Sequence, residues 1–305
     1  MEEKLIRELQ GGIRGRILRS EPLCNHTTYR VGGEAEILVQ PQNGRDAGWA
    51  YAFARRQRLP LTVIGAGSNV IAPDEGIAGI LLQMKSISPP VVFKRDGRVR
   101  ADAGILINDF VRATAERGLT GLEPLAGIPG TLGGAIVMNA GTRDSDVSEH
   151  LASATVMTSS GRTRTFARAE LSFGYRRSVF LGSDWLVLGA EFALSAGDPQ
   201  RSARVMEEFL KDRERTYPLD LPSAGSVFRR PPGDYPGRLI EAAGCKGMRV
   251  GDAMVSDRHA NFIVNVGFAK AADIIELISR VRKRVFETSG AYLDLEQIPL
   301  QPACR

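Results

Sequence analysis

The chain has 305 residues, of which 43% are hydrophobic and 25% charged, with a net charge of +5. That length suits two or three domains with a sizeable core, and the composition is that of an ordinary soluble globular protein. Three cysteines at distant positions, Cys24, Cys245 and Cys304, argue against a disulfide framework and a zinc site and fit a reducing compartment.

No run approaches the roughly 18 apolar residues of a membrane span. The acidic start lacks the apolar stretch of a signal peptide, so a cytoplasmic protein is expected. The basic residues are scattered, and the densest clusters, 211–215 and 280–284, read as solvated helix faces. Small polyanionic ligands explain the positive balance as well as nucleic acid does.

The first part of 2–19 reads as a short amphipathic helix through Leu5, Ile6 and Leu9. Thr28, Tyr29, Arg30 and Val31 then lead to the pair Gly32-Gly33, and 34–40 alternates toward a strand. Residues 45–58 read as a helix ended by Pro60, and 61–64 as a short buried strand. That strand runs into Gly65-Ala66-Gly67-Ser68-Asn69-Val70. A strand followed by Gly-x-Gly resembles the opening of a dinucleotide fingerprint. Here the third glycine is missing and Pro73 forbids a helix interior. The choice is between a phosphate-contacting loop of another kind and a tight turn. Strands are expected at 77–83, 91–93 and 99–103, and a helix over 108–117 is stopped by Gly118.

The stretch 127–141 is organised by Gly127, Pro129, Gly130, Thr131, Gly133, Gly134, Asn139, Ala140 and Gly141, without a charge. So few side chains suggest exposed backbone rather than core. Successive backbone N–H groups form concave anion sites, so the stretch is either a dinucleotide cradle or a glycine-rich turn. Strands follow at 154–158, 163–167 and 185–194. Strands outnumber helices and lack the regular alternation of a doubly wound sheet, which indicates α+β. A charged helix over 198–215 marks a candidate boundary between 1–197 and 198–305. Beyond a proline-rich loop, helices are expected at 235–243 and 271–288, with strands at 260–266 and 290–300.

Ser226 follows Gly225 in a small-residue loop; it is either a proton donor or nucleophile, or a turn serine, and the spacing alone favours the turn. Arg176 beside Tyr175 suits a carboxylate, or a surface arginine stacked on a ring. On a strand, Tyr292, Asp294 and Glu296 would share one face, where a carboxylate is either a general acid or part of a solvated surface. His26, His150 and His259 have no metal-ligand spacing, so no metal site is expected.

Taken in order, 28–33, 65–70, 127–141, 173–178, 223–228 and 290–296 resemble the UDP-N-acetylenolpyruvoylglucosamine reductase family, in its shorter type, over nearly the whole chain. The resemblance implies an FAD-binding α+β region of the vanillyl-alcohol-oxidase type followed by a smaller substrate-binding domain. FAD is held non-covalently along 65–70 and 127–141, with Tyr29 and Arg30 nearby. It further implies NADPH as co-substrate and hydride transfer from flavin N5 to C3 of the enolpyruvyl group. Arg176 and Glu296, the latter as a protonated donor, stabilise the enolate, and Ser226 protonates C2. Tyr175, Gly225 and Arg230 fall at substrate-binding positions, and a monomer is expected.

Two positions depart from the family pattern: Arg230 replaces a neutral amide and Tyr217 a common glutamine. A flavin oxidase on the same fold is the second reading; its covalent tether would fall to His150.

Overall fold

The computed structural model describes residues 2–86 and 91–302, so Cys304 lies outside the described residues. The chain forms two compact units. The first is made of 1–19, 37–66 and 79–212, the second of 20–36, 67–78 and 213–305. Both mix helix and strand, and the fold is α+β. No disulfide joins Cys24 and Cys245.

In the first unit, helix α1 (Glu3–Gly11) buries Ile6 and Leu9. Helix α2 (Gly44–Arg56) starts where the Asn43 side chain accepts the Asp46 N–H at 3.0 Å, which satisfies one of the open donors of a helix start. The buried Asp46 carboxylate in turn accepts the N–H groups of Arg14, Gly15 and Gln42. Ala47, Ala50, Tyr51 and Ala54 lie on the buried face of α2, as their spacing predicts, and Phe53 is buried with them.

A four-stranded sheet takes Arg16–Pro22, Glu34–Gln40, Ile77–Gln83 and Leu61–Ile64 in that order. Leu61–Ile64 pairs parallel with Ile77–Gln83, which is why the latter is a nearly continuous apolar run. A five-stranded antiparallel sheet takes Thr163–Ala167, Leu151–Met157, Leu186–Ala193, Arg98–Asp102 and Val92–Phe93 in that order. Helix α3 (Ile107–Glu116) turns Phe110 and Val111 inward, and Phe110 meets Phe192 with ring centroids 5.1 Å apart.

The glycine-rich stretch corrects the expectation that it builds no core. Residues Leu132–Met138 form helix α4, in which Leu132, Ala135 and Ile136 are buried in the main hydrophobic cluster. Its glycines work by size: a Cβ on Gly133 would stand 2.8 Å from the Cβ of Ala103. Three core side chains on so short a segment escaped a reading that counted only glycines. Helix α5 (Pro199–Thr216) is largely exposed and carries the 212/213 boundary.

In the second unit, helix α6 (Pro236–Ala242) and helix α7 (Ala271–Ser289) pack on a small core with Tyr29, Val31, Ile71, Val227 and Phe228. The Asp74 carboxylate accepts the first N–H groups of α7, from Ala271 and Ala272, at 2.9 and 3.0 Å. This places a negative charge at the positive end of the helix. A three-stranded antiparallel sheet takes Arg249–Val250, Ala253–Val255 and Ile263–Asn265.

Two strand expectations shrink here. The strand expected over 260–266 is confined to Ile263–Asn265. The one expected over 290–300 is confined to Ile298–Pro299, because the segment changes partners. Its first part bonds to 227–229 and its last part to 69–71. No single ladder continues through it.

Replacing Ile136 by Ala empties a fully buried site and should lower stability by about 2–5 kcal/mol, read from urea unfolding. An unchanged midpoint would show that α4 is not a core helix.

Candidate active site

In the first unit, the site is assembled at the two ends of α4. At its N-terminus Thr131 accepts the Gly134 N–H at 3.3 Å. The end of the strand Leu61–Ile64 approaches here: a Cβ on Gly65 would lie 2.2 Å from Thr131 Oγ1. Only glycine allows the strand end and the helix start to touch.

Four of the N–H groups of this stretch are already used inside the fold. Those of Gly127, Leu132, Gly133 and Gly134 donate to Asn108 Oδ1, Ile105 O, Ala103 O and Thr131 Oγ1. What remains is a wall of small uncharged residues, with Gly134 and Pro129 exposed and Gly65, Ala66, Gly130, Ala140 and Gly141 half-buried.

At its C-terminus α4 ends on Asn139 in the left-handed conformation, φ 45°. The Asn139 amide donates to Gly174 O at 2.9 Å, and its oxygen accepts the Ser148 N–H. Ser178 Oγ donates to Val137 O at 2.6 Å. The loop 173–178 is thereby bound to the helix end, with Arg176 also left-handed at φ 51°. The Arg176 guanidinium donates to Gly141 O at 3.0 Å and Asn139 O at 3.5 Å, and lies 5.2 Å from the centre of the Tyr175 ring. A cation beside the carbonyl end of a helix is favourably placed.

In the second unit, Val227 N–H donates to Asn261 O, and the Asn261 side chain exchanges hydrogen bonds with the main chain of Phe228 at 3.0 and 2.9 Å. Ser226, half-buried, sits opposite Phe262 in an isolated β-bridge. The Glu296 N–H donates to Val227 O at 2.8 Å. The fold therefore sets Ser226 and Glu296 on adjoining segments. Glu296 O accepts from the Asn69 amide at 3.2 Å, so the loop 67–70 joins the same cluster.

Thr28 N–H donates to Gly67 O at 3.1 Å. Tyr29 is fully buried and Arg30 exposed. Arg230 is exposed and stacks over Tyr235, with its guanidinium 4.7 Å from the ring centre. Tyr217 stacks on Phe262, 5.1 Å between centroids. Arg176 belongs to the first unit, and Ser226 and Glu296 to the second.

Sequence reasoning missed Asn261, Asn265 and Gln297, all buried. Polar amides inside the apolar run 260–266 were the signal for the first two.

A family model described as UDP-N-acetylenolpyruvoylglucosamine reductase, C-terminal domain, matches residues 217–298, and one described as an FAD binding domain matches 35–167. A reductase of that name from Moorella thermoacetica is 41% identical over 95% of each chain. One from Symbiobacterium thermophilum is 41% identical over 92% of this chain and 91% of its own. The chain belongs to the UDP-N-acetylenolpyruvoylglucosamine reductase family.

A crystal structure of the reductase from Thermus caldophilus superposes with a TM-score of 0.78 at 33% identity, covering 95% of this chain and 100% of that one. An alkyldihydroxyacetonephosphate synthase shares the fold alone, with a TM-score of 0.52 at 16% identity over 64% of this chain and 41% of its own. The chain is thus an FAD-dependent oxidoreductase.

The residues present fit FAD. The wall beside α4 has no charge and little side-chain bulk, so a flat, extended dinucleotide can lie against the main chain. Among the described residues no cluster of His, Cys, Asp or Glu is placed to hold a metal ion. No helix among them is long and apolar enough to cross a membrane.

Near Ser226, His259 packs against Tyr217 and Phe262 and its Nδ1 accepts the Asn261 N–H. Burial pushes its pKa below the ordinary 6.5. The unfolded chain therefore takes up the His259 proton first as pH falls, so this contribution is full above about pH 6.5 and is lost below it. Urea unfolding between pH 7.5 and 5 should show a shallower loss of stability in His259→Gln than in the wild type. Equal slopes would show that His259 titrates as freely folded as unfolded.

Proposed function

We propose that this enzyme oxidises NADPH and reduces the enolpyruvyl ether of UDP-N-acetylglucosamine enolpyruvate to the lactyl ether of UDP-N-acetylmuramate, a step of peptidoglycan precursor synthesis. Bound FAD supplies the two-electron exchange between the two substrates. The observation that carries the reading is the adjoining placement of Ser226 and Glu296, with the Glu296 N–H on Val227 O, in a chain of this family.

When hydride arrives at C3 of the enolpyruvyl group, the carbon–carbon π pair moves to C2 and into the carboxylate. Arg176 stabilises that charge with a rigid fork of donors. Its guanidinium is already aimed by the carbonyls of Asn139 and Gly141. Glu296, on the segment adjoining Ser226, is assigned to the same developing charge. Such preorganised donors stabilise charge that develops only during the reaction.

Ser226 Oγ delivers the proton to C2, which completes the addition of one hydride and one proton across the double bond. The serine is then recharged by a proton relay. Serine is a weak acid in water, and it suffices here because the acceptor is a carbanion-like centre.

We assign FAD, held non-covalently, to the small-residue wall at 65–66, 127, 129–131, 133–134 and 139–141, and Arg30 and 67–70 to the same cofactor; Tyr29, fully buried with its hydroxyl on Gln297, offers the flavin no surface and is not retained as a contact. Tyr175, Gly225 and Arg230 meet the UDP-sugar, Arg230 through the diphosphate. In this division of labour 1–197 serves the flavin and 198–305 the substrate; the matched regions 35–167 and 217–298 fall one on each side. A cytoplasmic monomer completes the reading.

Ser226→Ala tests it. Reduction of the bound flavin by NADPH should stay within about twofold of wild type. Reoxidation by the UDP-sugar should slow by about 10²–10⁴, the range of a general acid. A variant that keeps both rates would overturn the role of Ser226.

A further inference from the structure

Gln297 follows Glu296 in the chain and is 2% exposed. Its amide nitrogen donates to two consecutive carbonyls, Ala224 O at 3.2 Å and Gly225 O at 3.1 Å. Its oxygen accepts the hydroxyl of the fully buried Tyr29 at 3.0 Å. Carbonyls only accept and this phenol donates, so the partners themselves fix which way the amide points. Burial pushes the Tyr29 pKa well up, and the phenol keeps the proton it donates.

These contacts lie immediately before Ser226. Gly225 has φ 74°, a left-handed conformation in which glycine carries no Cβ penalty. The peptide leading into Ser226 is thus intrinsically free to swing, and the Gln297 amide holds its two carbonyls. After Ser226 the chain is pinned by Asn261, through the Val227 and Phe228 N–H groups.

Asn265 closes the frame: its amide donates to Tyr29 O at 3.0 Å, and it lies on the strand that follows Phe262, the partner of Ser226. Gln297 is also the residue at which the segment leaves Val227 O for the pairing of Ile298 with Val70. One buried side chain therefore couples the loop of Ser226 to the segment of Glu296.

We propose that Gln297 is a positioning residue of this reductase: by clamping the Ala224 and Gly225 carbonyls from the residue next to Glu296, it holds Ser226 and Glu296 in one fixed relation for protonation of the substrate. The proposal rests on the reading of Ser226 as proton donor. Displacement of a reacting group by about 1 Å costs on the order of 10² in rate, so a clamp on the peptide before the acid acts on the protonation step and not on hydride uptake from NADPH.

The test uses the holoenzyme under anaerobic conditions with Gln297→Met, which keeps the length of the side chain and removes the amide, and with Tyr29→Phe, which leaves the amide donors and removes their orienting partner. For Gln297→Met, flavin reduction by NADPH should stay within about twofold. Reoxidation by UDP-N-acetylglucosamine enolpyruvate should slow by about 10–100-fold, with a larger solvent deuterium isotope effect on that step. Tyr29→Phe should slow the same step less, and it carries the test alone if Gln297→Met does not fold.

The double variant Tyr29→Phe/Gln297→Met removes the orphaned hydroxyl and should regain thermal stability while the second step stays slow. Equal slowing of both half-reactions, an unchanged isotope effect, or recovery of the second step in the double variant would overturn positioning and leave Gln297 a packing residue. A wild-type enzyme that the UDP-sugar does not reoxidise would instead overturn the functional reading beneath the proposal.

Discussion

The change of hydrogen-bond partner at Glu296–Gln297 is the constraint on which the second unit's part of the site depends. Up to Glu296 the segment is tied to 227–229, and from Ile298 onward it pairs with Val70–Ile71. A segment that stayed on one ladder would alternate its side chains regularly between two faces. At a point of exchange, the neighbouring backbone groups need other partners, and buried polar groups without them are costly, about 1–3 kcal/mol each. Asn69, whose amide reaches Glu296 O, and Gln297, whose amide reaches Ala224 and Gly225, meet that need. Three segments distant in sequence are thus held together there by side chains.

The first unit solves a related problem around α4. The helix must be small enough to leave a flat uncharged wall beside Gly65 and Thr131, yet anchored firmly enough to aim an arginine from its far end. Leu132, Ala135 and Ile136 anchor it in the core. Asn139 and Ser178 bind the loop of Arg176 to its last turn. Glycine serves close packing of protein against protein at 65 and 133, and the N–H groups of Gly127, Leu132, Gly133 and Gly134 are spent inside the fold.

Much of this was legible in the sequence. The amphipathic helices and the strands at 61–64 and 77–83 announce themselves through their local apolar pattern, as in α7, where of the expected core face Ile274, Ile275, Leu277, Ile278, Val281 and Val285 all but the exposed Ile275 are buried. The order of six short motifs carried the family and its flavin, and with it the candidates Arg176, Ser226 and Glu296.

What stayed hidden is non-local. The stretch 127–141 looked like bare backbone because glycine count is a local property, whereas the burial of Ile136 depends on which strands it meets. The segment 290–300 looked like one strand because nothing in its own residues records a change of partner. Gln297 drew no notice for the same reason: a lone glutamine in a polar-looking tail acquires meaning only when Tyr29, 268 positions away, closes on it.

The most direct test of the account is anaerobic absorbance of the wild-type enzyme, following the oxidised-flavin band through sequential addition of NADPH and UDP-N-acetylglucosamine enolpyruvate. The account predicts that NADPH bleaches the band and that the UDP-sugar restores it rapidly without oxygen. Recovery only on admitting air would contradict it and point to an oxidase on the same fold. A protein that takes up no flavin on reconstitution would contradict the assignment of the wall beside α4.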